Sequence, residues 1–111
     1  MEIKVARQVR DLFYTYGVTF KFGAAHILAE NRERARVYTD LLDKFKSDIV
    51  AEAITDACLE SPRKMPAAYA IVSHCRRLRA KRNSILLAAG EQRGMDETHK
   101  FNFELGEWLP K

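Results

Sequence analysis

The turn Ser61-Pro62-Arg63-Lys64-Met65-Pro66 constrains the fold of this chain more than any other segment. Proline has no backbone N–H and its ring clashes with the preceding turn of a helix, so no helix runs through Pro62 to Pro66. A proline directly ahead of a helical run does no harm, because the first N–H groups of a helix lack partners anyway. On the near side, Ile49, Val50, Ala53, Ile54, Ala57 and Cys58 recur at helical spacing; on the far side, a run opening at Ala67 carries Ile71, Cys75 and Leu78 on one stripe. The turn therefore joins two helices. It also opens the charged part of the chain. From Arg63 to Arg82 there are seven basic residues (63, 64, 76, 77, 79, 81 and 82) and no acidic one, whereas the whole chain carries only +4. The remainder is net acidic, so the positive charge is concentrated, which points to a polyanion or an acidic protein surface.

A chain of 111 residues has room for a single core of ordinary size. With 47% hydrophobic and 31% charged residues, it reads as folded and helix-rich rather than disordered. No apolar run approaches the roughly 18–20 residues that span a bilayer, and Met1-Glu2-Ile3-Lys4-Val5 contains no hydrophobic stretch of the secretory kind. Cys58 and Cys75 both lie in apolar helical patterns and read as buried reduced thiols. The expected location is the cytoplasm.

Elsewhere the helical period recurs. Val5, Val9, Leu12, Phe13 and Tyr16 predict a first helix over about 2–16, stopped by Gly17. Val18, Phe20 and Phe22 alternate with polar residues, and a lone strand cannot stand alone, so 18–22 reads as an extended connector delivering aromatic rings to the core. A second helical region covers about 24–45, with the polar run Glu30–Arg34 leaving open whether it is one helix or two. Ser47 is suited to cap the third helix. On that helix Asp48, Glu52, Asp56 and Glu60 form an acidic stripe, either a solvated face or a contact surface. In the fourth helix the inward stripe would place Arg82 among Ile85, Leu86 and Ala89, so packing is expected to stop near residue 80 or a turn to begin at Asn83-Ser84. After Gly90 the sequence is polar and closes with Phe101, Phe103, Leu105, Trp108 and Leu109, side chains that either pack back or dock on a partner. The expected architecture is all-α: a small bundle of four to five helices over 1–89, then a linker and a flexible or extended apolar C-terminal tail over 90–111.

Little here resembles catalytic machinery. His26, His74 and His99 are far apart, and none has metal-ligand spacing with cysteine or carboxylate. Adjacent residues on a helix point about 100° apart, so His74 and Cys75 are not a catalytic pair, and His74 reads as a helix-surface histidine. The glycines at 17, 23, 90, 94 and 106 are isolated, and no phosphate loop exists. No catalytic residue, metal site or cofactor is expected. A helix-turn-helix also fits poorly: the proline-containing join is longer than that motif's turn, and its reading helix would open with Ala67, Ala68, Ala70, Ile71 and Val72. Arg63, Lys64, Arg76, Arg77, Arg79, Lys81 and Arg82 suit phosphate contact without base readout. A helix C-terminus made basic to complement the macrodipole is the plainer alternative for the last five.

Tyr38, Leu41, Leu42 and Phe45 before a short break, the alanine-cored helix Ile49, Val50, Ala53, Ile54 and Ala57, and the basic turn Arg63-Lys64-Met65-Pro66 opening another helix make 38–79 resemble the small helical proteins by which bacteriophages load or inhibit a replicative DNA helicase. The resemblance implies an all-helical domain without ATPase activity that binds the hexameric helicase, with a flexible C-terminal segment in the contact. Phe101, Phe103, Leu105, Trp108 and Leu109 are then the partner-binding residues. Two other readings stand beside it: a sequence-nonspecific binder of single- or double-stranded DNA acting through Arg76–Arg82, and a phage-encoded inhibitor of a host defence complex acting through the 48–60 acidic stripe.

Overall fold

The computed structural model describes residues 4–111. They form four α-helices, α1 (Val5–Thr15), α2 (Ala25–Leu42), α3 (Ser47–Glu60) and α4 (Ala68–Gln92), a 3₁₀ turn at Met95–Glu97, and strands β1 (His99–Asn102) and β2 (Glu107–Pro110). The fold is thus mostly helical with one small antiparallel sheet. The expected start of the first helix at residue 2 lies outside the described residues. Two compact units divide the chain between Cys75 and Arg76, inside α4, whereas the change in sequence character falls at 89/90.

In the unit ending at Cys75, α1 packs against α2 and α3. Val9, Leu12, Phe13, Leu42, Phe45, Ile49, Ala53, Ile71 and Cys75 are buried, as their spacing predicts, together with Val5, Leu28, Tyr38, Val50, Ala57 and Val72. Leu41, which helical spacing with Tyr38 and Phe45 predicts to be a core residue, is instead exposed. Leu28, Asn31, Ala35, Tyr38 and Leu42 form the covered stripe of α2, and Leu41 points about 100° away from its neighbour Leu42. Ile54 and Leu78 are only half-buried. Cys75 is buried and Cys58 half-buried, and neither is in a disulfide.

Helix α1 ends as its glycine predicts. Gly17 takes φ +79°, and the Gly17 N–H donates to the Tyr14 carbonyl (3.0 Å) while the Val18 N–H donates to that of Phe13 (2.9 Å). This is a Schellman closure, and it turns the chain back over the helix. A Cβ at Gly17 would meet nothing within 4 Å, so Gly17→Ala should cost about 1 kcal/mol through backbone strain alone. Urea denaturation measures this, and an unchanged midpoint would contradict it.

The connector after Gly17 is bent rather than stranded, and α2 holds it. Asn31 Nδ2 donates to the Thr19 carbonyl (3.0 Å) and Arg32 Nη2 to that of Phe20 (3.1 Å). The polar run 30–34 is therefore continuous helix, and α2 is one element. Phe20 stacks on Phe13 with ring centroids 5.8 Å apart, and Phe13 meets Tyr38 edge-on at 5.1 Å. The Tyr38 hydroxyl donates to the Pro66 carbonyl at 2.8 Å, fixing the proline turn to α2. Phe22 does not join the core; it is 79% exposed.

Two further expectations are corrected in this unit. Lys46 occupies the N-cap position of α3 and Ser47 is its first helical residue, with Asp48 in the first turn where a negative charge favours the macrodipole. His74 is buried rather than on the helix surface, its Nε2 hydrogen-bonded at 3.0 Å to Oε2 of Glu60. That contact engages one member of the acidic stripe; Asp48 and Glu52 are exposed and Asp56 is half-buried.

In the unit Arg76–Lys111, α4 continues unbroken to Gln92, without the alternative turn at Asn83-Ser84. No proline or glycine interrupts it before Gly90, and the stripe through Leu78, Arg82 and Ile85 leaves the core: Ile85 is 62% exposed, so a half-buried Arg82 is tolerated there. Of the expected flexible or extended tail, the extended form is seen, folded into a sheet. Residues 99–110 form a hairpin in which Phe101 faces Trp108 and Asn102 faces Glu107. Asn102 builds its turn: Oδ1 accepts from the Glu104 and Leu105 N–H groups, both at 2.9 Å, and the carbonyl accepts from Gly106 at 2.8 Å. Gly106 supplies the left-handed φ of +67° that this closure needs.

Candidate anion-binding cleft

Three contacts seat the hairpin on α4. Trp108 Nε1 donates to the Leu86 carbonyl (3.2 Å), and its indole lies against Gly90, where a Cβ would come within 1.8 Å of that nitrogen. Asn83 is buried and donates through Nδ2 to the Phe103 carbonyl at 2.7 Å. Phe101 is buried beneath the ring of Trp108, 5.4 Å away, and Phe103 meets it edge-on at 5.0 Å.

Beyond Asn83, toward the start of this unit, the same face of α4 presents Arg79 and Arg76 at i−4 and i−7. These arginines and Phe103, at the tip of the hairpin, line a cleft of about 370 Å³. Ala80 and Leu87 supply its apolar floor, Ser84 a hydroxyl and Glu104 a carboxylate at the turn. Two guanidinium groups beside an aromatic ring that is 58% exposed can hold a phosphate and stack a flat group next to it. Glu104 opposes any anion there.

No protein-family model, curated protein or solved structure matches this chain. Functional reading therefore rests on the placement of its own residues.

Of the basic residues singled out in the sequence, Arg76 and Arg79 enter the cleft. Arg77 and Lys81 share a different face of α4 at i and i+4, and Arg82 does not line the cleft. Arg63 and Lys64 are exposed in the proline turn of the other unit. Of the apolar tail residues, Phe103 reaches the cleft, Phe101 and Trp108 are engaged within the hairpin and against α4, Leu109 is half-buried, and Leu105 is 47% exposed at the turn. The structure thus brings together one member of the tail set with two of the basic set. Asn83, which positions Phe103, was missed. The sequence places it on the Arg76–Arg79 stripe, but its burial, and so its need of a partner, shows only in the structure. Among the described residues, no group of three or more His, Cys, Asp or Glu side chains could hold a metal ion, and no helix is long and apolar enough to cross a membrane.

Proposed function

We propose that this chain is a phage-type DNA replication accessory protein of the cytoplasm that acts by binding and not by catalysis, holding a single-stranded DNA segment in the cleft of Arg76, Arg79 and Phe103. The cleft itself carries the reading. Paired arginines track a phosphate backbone, and an exposed ring beside them stacks a base of any identity, which gives affinity without sequence preference. Binding of a labelled oligothymidylate, followed by fluorescence anisotropy across a salt series, tests it. Arg76→Gln with Arg79→Gln should weaken binding and flatten the salt slope by about 0.7 per lost phosphate contact. Glu104→Gln should tighten it by removing the opposing charge. Binding that survives both arginine changes with its slope intact would refute the assignment.

A second reading keeps the replicative helicase as partner, in line with the resemblance of 38–79. Its support is the adjacent exposure of Phe103 and Leu105 at the hairpin turn, an apolar tip on an ordered scaffold. Co-purification with a replicative helicase, compared between the native chain and Phe103→Ala with Leu105→Ala, tests that contact directly.

A further inference from the structure

The unit ending at Cys75 carries a second cleft, formed where α1, α2 and the connector meet, with a volume of about 550 Å³. The sequence supplies it by small residues at the crossing: Ala6 on α1 and Ala35 on α2 leave space that longer side chains would fill. One wall is aromatic. Tyr14 and Phe20 meet edge-on at 5.6 Å, and Phe20 is held from behind by its stack on Phe13 and through its carbonyl by Arg32. Tyr14 is 46% exposed, so its ring is open to a ligand.

The rim is cationic, and its cations differ in how they are matched. Arg36 is engaged by Glu33 and, at 3.2 Å, by Asp40. The hydrogen bond from Arg36 holds the Glu33 carboxyl below the usual carboxylate range. Arg10, Lys21 and Arg32 also border the cleft, and none makes an ion pair with a carboxylate among the described residues. Concentrated positive charge beside an accessible ring fits a ligand that carries both a flat aromatic group and adjoining anionic groups. The volume lies within the range of small-molecule sites.

We propose that this cleft is a binding site for a free nucleoside polyphosphate, its base against Tyr14 and Phe20 and its phosphates against Arg10, Lys21 and Arg32. The proposal is independent of the DNA reading of the Arg76–Phe103 cleft, which belongs to the other unit. It assigns no hydrolysis; the site holds the nucleotide intact.

Calorimetric titration of the full chain with ADP, adenosine and pyrophosphate at low salt separates the parts. ADP should bind at least about tenfold more tightly than either fragment, the increment expected from one stacked base joined to a charged anchor. Arg10→Gln with Lys21→Gln should weaken ADP about tenfold or more; both side chains are exposed, so the melting temperature should hold. Tyr14→Ala should weaken ADP while leaving pyrophosphate unchanged, which a purely ionic surface would not do. Arg76→Gln with Arg79→Gln should leave ADP affinity unaltered. Equal binding of ADP and pyrophosphate would remove the base from the proposal. Indifference to the Arg10 and Lys21 changes, or loss of ADP binding on changing Arg76 and Arg79, would overturn the site.

Discussion

Gly90→Ala should loosen the C-terminal hairpin although it substitutes the best helix former for one of the worst. In an open helix this change stabilises by about 1 kcal/mol. Here the added methyl would lie 1.8 Å from Trp108 Nε1 and 2.2 Å from Cε2, far inside contact distance. Either the indole swings away, giving up its bond to the Leu86 carbonyl and its contact with Phe101, or α4 bends. Overpacking of this kind costs about 1–3 kcal/mol, so the net effect is destabilising. Trp108→Ala should cost about 2–3 kcal/mol, less than a fully buried tryptophan because the side chain is half-buried. The two changes break one contact, so their costs should fall well short of additive. Hydrogen exchange of the 99–102 and 107–110 amides reads the loss locally, and the emission of Trp108, the single tryptophan, should shift to the red in Gly90→Ala. A Gly90→Ala chain with a protected hairpin and unshifted emission would show that the indole does not rest there.

Phe13→Ala should produce the largest loss elsewhere. Phe13 is fully buried and meets both Phe20 and Tyr38, and deletion of such a ring costs about 3–5 kcal/mol. Small domains hold only about 5–15 kcal/mol in total, so most of the reserve of this unit would go. The control is internal to the connector. Phe22→Ala removes a ring of the same size two residues from Phe20, but one left in solvent, and should change stability by less than about 0.5 kcal/mol. Thermal denaturation of the two variants distinguishes them; equal shifts would mean that the alternation of aromatics, not the individual contact, governs the connector.

The contrast between Phe20 and Phe22 shows where the sequence is legible and where it is not. Helical periodicity located α1 to α4 because each buries a stripe at 3.6-residue spacing. The alternation over 18–22 was visible too, but which ring turns inward depends on Asn31 and Arg32 reaching back from α2, a tertiary fact. Arg82 was ambiguous for a related reason: a charge on an apolar stripe marks either the end of packing or a turn, and here Ile85 beyond it is exposed while α4 runs on. The hairpin could have been read. Lys100-Phe101-Asn102 and Glu107-Trp108-Leu109 flank a four-residue loop that ends at Gly106, with an asparagine directly before it. Its strands are short and the preceding decapeptide is polar, so composition outweighed pattern. The cleft at Arg76 and Arg79 was half legible, in its charge but not in the ring opposite. The cleft between α1 and α2 was not legible, because Arg10, Lys21 and Arg32 come from three separate segments.

The division of the chain within α4 gives its two units different folding problems. In Arg76–Lys111 the fixing bonds span little chain: 20 residues from Asn83 to Phe103 and 22 from Leu86 to Trp108. In the preceding unit the longest reach further, 39 residues from Gln8 to Ser47 and 45 from Tyr16 to Ser61. Contact order sets folding speed, since loop closure must be met before distant contacts return any energy. Ribosomal synthesis runs the other way, releasing first the segments whose partners lie furthest along the chain. Of the two units, the one synthesised later is therefore the one that folds with less delay.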